Sequence, residues 1–283
     1  MPYNIPGDYS KFENVILTLN KQNQGFNVFV GDFKSSKTPC SDIAYQKILA
    51  YFNSFKKPLI YTPGDNEWTD CGKPEAGSYN NVERLEVIRK VFFNDSLHSL
   101  GMDKLEVKSE SSNPKYAKYL ENKMWFYKGI SLATIHLVGS NNNFSSDKLN
   151  SNEEFFERSK ADIYWLNELF IKAKENNSLG IVIFEHADMF TPDKGKDGFD
   201  IFLKELQKQV ENYKKPVLLI NGDSHEYKVD KPLYENKEIK KSLLNFTRLQ
   251  VFGESDMHAA KITINPNNPI LFEIQQFWIP ENQ

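Results

Sequence analysis

The chain has 283 residues, 40% hydrophobic and 26% charged, enough apolar material for one large domain or two small ones. Its 35 Lys and Arg against 38 Asp and Glu leave a formal charge of -3, and the scattered lysines form no broad basic surface, which disfavours charge-driven nucleic-acid binding. No apolar run reaches the length of a membrane span and no charged-then-apolar leader precedes the first strand, so the sequence reads as soluble without specifying a compartment.

Periodicity predicts a helix from about Tyr9 to Lys21, then the strand FNVFV, a helix at SDIAYQKILAYFNSF and the strand PLIY. NNVERLEVIRKVFF follows as an amphipathic helix. MWFYKG and ISLATIHLV read as consecutive strands, and a long helix spans roughly Glu153 to Lys174. The strand IVIF, a helix at FDIFLKELQKQVENY and the strand PVLLI come next, and the last quarter turns to β with LNFTRLQVF, AKITIN and PILFEIQQFWI. Alternating apolar strands and helices predict an α/β fold: a mainly parallel central sheet with helices outside and antiparallel strands at the end. There is no internal repeat and no Pro/Gly-rich linker, so residues 1–283 are expected to form a single domain. The polar stretch SNNNFSSDKLNSNEE is read as a mobile loop between core elements. Cys40 and Cys71, the two cysteines, each follow a strand by a short loop, and the sequence leaves a disulfide and two free thiols equally open.

One construction recurs. FNVFV ends in Gly31-Asp32, PLIY runs into Gly64-Asp65-Asn66, IVIF into Glu185-His186, and PVLLI into Gly222-Asp223-Ser224-His225, while ISLATIHLVGSNN adds a strand leading to Ser140, Asn141 and Asn142. A single Gly-Asp is an ordinary turn, but ligands of open α/β sheets bind at the carboxyl ends of the strands. Asp32, Asp65, His186, Asp223 and His225 are therefore expected in one cleft, where so many carboxylates call for neutralising cations. Carboxylate, amide and imidazole donors without thiolates suit one or two divalent ions such as Mn, Fe or Zn rather than a structural zinc site. A pair of ions can hold a phosphate and activate a water for phosphoester hydrolysis.

These motifs, together with MPYN, VGDFKS, TPCSD, YTPGDNEWTDC, VERL, SLG, VGSNNN and NGDSHEY, resemble the calcineurin-like metallophosphoesterases, and a bacterial subgroup of them more narrowly. The resemblance covers nearly the whole chain. It implies a four-layered α/β/β/α sandwich with mixed, largely parallel central sheets, and a metal-dependent phosphoester hydrolase with two divalent ions (Mn, Fe or Zn, with Mg also compatible) acting on a small phosphorylated substrate. Asp32 matches the aspartate that bridges the ions, and His186 and His225 match ligand histidines. Asp65 stands where the superfamily has an Asn ligand, and Asp223 replaces a His, swaps that make the site harder and more anionic. Asn66 stands where the superfamily has the His that protonates the leaving group, and an amide transfers no proton at neutral pH. The strand and aspartate of the first motif are expected upstream of Met1. The departures give the alternative: a catalytically weakened or non-catalytic protein of the same fold that binds metal or a phosphorylated ligand.

Other residues receive lesser roles. Glu67 is expected to orient a ligand and Trp68 to cap the pocket, with Asn141, Asn142 and Arg248 as phosphate donors or supports for the ligands. His136 reads as a core histidine, His98 and His258 as loop residues, Arg84 and Arg89 as available to hold a phosphate or as surface pairs on a helix, and Asp8 as a helix N-cap rather than a ligand.

Overall fold

The computed structural model describes residues 2–147, 152–191, 197–236, 238–239 and 241–283. Residues 148–151, within the loop read as mobile, lie outside the described residues.

Two parallel strands, β1 (Asn27–Val30) and β2 (Leu59–Thr62), form a small sheet. Three helices pack on one of its faces: α1 (Gly7–Leu19), α2 (Asp42–Asn53) and α3 (Asn81–Phe92). The side chains of Ser41 and Asn80 accept N–H bonds from the first turns of α2 and α3 and fix where those helices start. Asp8 departs from the expected N-cap. It sits inside the first turn of α1, and its Oδ2 accepts the backbone N–H groups of Tyr3 (3.0 Å) and Asn4 (2.7 Å), holding the incoming chain instead of the helix.

The central sheet has seven strands. In chain order they are β3 (Lys108–Ser109), β4 (Lys123–Tyr127), β5 (Ile130–Thr134), β6 (Gly180–Phe184), β7 (Val217–Asn221), β8 (Lys228–Asp230) and β11 (Phe246–Gln250). Their spatial order is β3-β4-β5-β6-β7-β11-β8, with β5, β6, β7 and β11 parallel and the edge strands antiparallel. Every residue of β5, β6 and β7 is buried, as a sheet covered on both faces requires. The strand expected over ISLATIHLV ends early, at Thr134, and residues 135–138 continue without regular pairing. Two further pairs are antiparallel, β9 (Tyr234–Asn236) with β10 (Lys241–Ser242) and β12 (Ala259–Ile264) with β13 (Phe272–Phe277). The short strands β3, β8, β9 and β10 have no periodic signature in the sequence.

Strand alternation divides the core into three. On the large sheet, Ile181, Ile183, Val217 and Leu219 face α4 (Glu153–Glu175) and α5 (Asp200–Tyr213), whose buried stripes include Trp165, Leu169, Leu206 and Val210. The intervening residues Val182, Phe184, Leu218 and Ile220 face the other way and meet Val30 and Ile60 of the small sheet, with Ile262 and Phe272 of the β12-β13 pair. Phe29, Leu59 and Tyr61 point to the opposite side, into α1 to α3. Cys40 and Cys71 form a disulfide with Cα atoms 5.7 Å apart, tying the loop after β1 to the loop after β2.

Candidate metal centre

The parallel strands deliver their C-terminal ends to one place. Asp32 after β1, Asp65 after β2 and His186 after β6 are all buried, and their donor atoms lie within 4.8 Å of one another. His186 Nε2 is 3.5 Å from Asp32 Oδ1 and 3.4 Å from Asp65 Oδ1. The other ring nitrogen, Nδ1, lies 2.8 Å from the carbonyl of Val30 and takes the role of donor to it, which turns Nε2 toward the carboxylates. Gly31 makes this approach possible: a Cβ there would stand 2.4 Å from His186 Nδ1, and its φ of 82° suits glycine.

Asp223 and His225 line the same cleft as Asp32 and His186, but they stand outside the mutual reach of the three. Asp223 Oδ2 accepts the N–H of Asp188 at 2.9 Å. The half-exposed ring of His225 lies between Glu254, whose Oε2 is 2.5 Å from Nδ1, and Tyr3, whose hydroxyl is 3.3 Å from Nε2. Asp32, Asp223 and His225 all have positive φ, 59°, 70° and 59°. Such conformations are costly for residues with side chains and gather at functional sites.

Burial and mutual charge set the protonation. Burial pushes the Asp32 carboxyl well above its ordinary value, against the pull of His186. For Asp65, burial acts in the same direction but is outweighed by the facing imidazole of His186 and the Ser140 hydroxyl, and the group is held at about 2. Burial alone lowers the imidazole of His186, yet the facing carboxylates raise it well above its usual range.

No protein-family model matches this chain, and no curated protein matches it. His186 Nε2 is buried without a hydrogen-bond partner and faces two carboxylate oxygens, an arrangement of one nitrogen and two oxygen donors that fits a divalent cation.

The remaining candidates divide. The Asn66 backbone N–H donates to Asp32 Oδ1 (3.2 Å) and its side-chain amide to Asp32 Oδ2 (2.7 Å), so Asn66 belongs to the cluster. Glu67 is fully buried; its Oε1 accepts the Phe33 N–H and the Tyr61 hydroxyl, each at 3.2 Å, which steadies the loop carrying Asp32. Trp68 does not cap the pocket. It is fully buried beneath the ligand loop, against His136 and Arg158. Asn141 and Asn142 turn away from the carboxylates: Asn141 holds Asp197 and Gly198, and Asn142 Oδ1 takes a 2.6 Å bond from Arg158. Arg248 is buried and paired with Asp230 (2.7 Å) and Asp188 (3.1 Å), so it steadies the loop that binds Asp223.

Arg84 and Arg89 are not surface groups. Arg84 is buried against Asp42, Glu83 and the carbonyl of Cys40, and Arg89 forms a buried fork with Glu121. His136 is a core histidine, its Nδ1 2.8 Å from Glu121 Oε1. His98 pairs with Asp95, and His258 Nδ1 accepts the N–H of Ile279.

Sequence reasoning missed Tyr3, and it placed Ser140 at a strand end without giving it a role. The Tyr3 hydroxyl donates to Asp32 Oδ2 and accepts from Asn66 Nδ2 at 2.8 Å, and the Ser140 hydroxyl donates to Asp65 Oδ2 at 2.7 Å. Their place beside MPYN and VGSNNN was visible, but no local signal gives the direction of either side chain.

Proposed function

We propose that this chain is a metal-dependent phosphoester hydrolase of the calcineurin-like type, with Asp32, Asp65 and His186 holding a divalent ion. The observation carrying the proposal is the partnerless Nε2 of His186 facing Asp32 and Asp65. Asp223 and His225, in the same cleft, are the residues available to a second ion. The packing of helices, small sheet, large sheet and helices supports the four-layered form of the proposal. When bound, divalent ions supply Lewis acidity toward a phosphoryl oxygen and lower the pKa of a water they coordinate.

The chain's own groups orient and restrict. Asn66 holds both oxygens of Asp32 through its backbone and side-chain N–H groups. Tyr3 keeps its proton, because burial and the Asp32 carboxylate raise the phenol far above its ordinary value, and its O–H is the donor positioned between Asp32 and His225. Rotated away from Asp32, that hydroxyl would offer its one hydrogen bond to a bound anion where Asn66 has no proton to transfer.

A weakened or purely binding relative is the second reading, favoured by Tyr3 occupying the cleft and by Asn66 in place of a general acid. Metal analysis and hydrolysis of p-nitrophenyl phosphate and its bis ester, with Mn, Fe or Zn added, test both. Bound metal with turnover that is lost in Asp32→Ala and His186→Ala supports the hydrolase. Bound metal without turnover selects the second reading, and no metal in any form refutes the hydrolase and reduces the second reading to binding of a phosphorylated ligand.

A further inference from the structure

Between β5 and α4 the chain makes a left-handed turn. Ser140, Asn141, Asn142 and Asn143 have φ of 52°, 55°, 56° and 60°, a run that residues with side chains do not hold without outside support. The support is Arg158 of α4, fully buried. Its guanidinium donates to the Asn142 carbonyl (2.9 Å), the Asn142 side chain (2.6 Å) and the His136 carbonyl (2.8 Å), and is anchored by Glu154 at 2.6 Å. From the other side, the Asn141 side chain accepts the N–H of Gly198 at 3.1 Å.

The turn has an operand at its open end. Gly139 lies so close to the cluster that a Cβ there would be 2.8 Å from both Asp65 Oδ2 and Asp223 Oδ1. That approach brings the Ser140 hydroxyl to Asp65 Oδ2, 2.7 Å away, while Asp65 Oδ1 faces His186 Nε2. The two oxygens of one carboxylate thus have two different partners on two different elements.

We infer that Ser140 is a positioning residue that occupies Asp65 Oδ2 and leaves Oδ1 alone to a cation, making Asp65 a one-oxygen ligand. The inference rests on the proposed metal site. A one-oxygen carboxylate favours small ions with short bonds, whereas calcium readily takes both oxygens. The hydroxyl therefore acts as a selectivity device, and Arg158 supports it by maintaining the turn.

The test is calorimetric titration of the whole chain with manganese(II) chloride and with calcium chloride, for wild type, Ser140→Gly and Ser140→Ala, with thermal midpoints recorded alongside. Glycine relieves the left-handed conformation and alanine does not, so the two variants separate a structural contribution from that of the hydroxyl. Both are expected to lose about 10-fold in Mn affinity while Ca affinity holds or rises, and the midpoint of Ser140→Gly is expected not to fall. Wild-type Mn affinity in Ser140→Gly overturns the inference, as does an equal loss for the two ions. If the wild-type chain binds neither ion, the metal site falls together with the inference; if it binds Mn and Ser140→Gly matches it, only the inference falls.

Discussion

Glu121 offers a sharp test of what holds α3 against the large sheet. It is fully buried and receives Arg89 through Nε (3.0 Å) and Nη2 (2.6 Å), with His136 Nδ1 2.8 Å away. Glu121→Gln keeps the shape and removes the charge, leaving the buried guanidinium of Arg89 with Glu86, which is 57% exposed and 2.6 Å away. Removing one partner of a buried pair costs about 3–5 kcal/mol. The surviving Glu86 contact places this case near about 3 kcal/mol, the lower end of that range. Urea denaturation followed by tryptophan fluorescence measures it, with the Arg89→Met, Glu121→Leu double variant alongside. The double variant is expected to lose about 1–3 kcal/mol, because replacing both charges removes the desolvation penalty as well as the attraction but leaves the buried Nδ1 of His136 without its partner. A Glu121→Gln loss below about 1 kcal/mol, or a double variant as unstable as the sum of its singles, would show that the pair is not a dominant constraint.

Further consequences concern neighbouring groups. Glu110 is fully buried, and burial raises its carboxyl to about 9 against the bond from Asn122. The folded state holds this proton more tightly than the unfolded chain, so the contribution is complete below about pH 4.5 and is lost as pH rises toward 9; Glu110→Gln should be near neutral at pH 5 and relatively stabilising at pH 8.5, read from paired denaturation curves. For Asp32→Asn we expect loss of Mn binding together with a loss of about 1–3 kcal/mol in the metal-free chain, since both oxygens of Asp32 accept hydrogen bonds and an amide must turn its own NH2 toward one of those donors; a variant as stable as wild type would count against that balance. Replacing Cys40 and Cys71 by Ser opens a loop spanning 31 positions and is expected to cost about 2–4 kcal/mol, measured by thermal unfolding with and without reductant. Tyr3→Phe should lower Mn affinity by no more than about 10-fold, because Asn66 Nδ2 still holds Asp32 Oδ2, and should lower turnover of the bis ester by about a further 10-fold or more; unchanged turnover would remove the hydroxyl from the proposed function.

The alternation of helices and strands was legible because β5, β6 and β7 are covered on both faces and so appear as continuous apolar runs. The strand-end residues were legible for the same reason: a polar group straight after such a run has only the sheet's edge to occupy. Asp32, Asp65 and His186 follow that rule and converge. Directions within loops were not legible. Asn141 and Asn142 sit in a left-handed turn that sends their side chains to Gly198 and Arg158, and nothing in GSNNN specifies that hand. Trp68 looked like a lid from its position after the ligands, yet the turns of residues 69–72 fold it inward. Arg248 looked free because Asp230 and Asp188, its partners, are 18 and 60 positions away. Long-range pairing of this kind leaves no trace in local composition.

His186 belongs to the large sheet through β6, but its imidazole reaches into the small sheet: Nδ1 is held by the carbonyl of Val30, and Nε2, without a hydrogen-bond partner, faces the carboxylates that follow β1 and β2. The ring is in effect a rivet between the two sheets. Whatever engages Nε2 changes the tension across that joint, so occupancy at the cluster should register mechanically, in hydrogen-exchange rates along β1 and β2, before any substrate arrives.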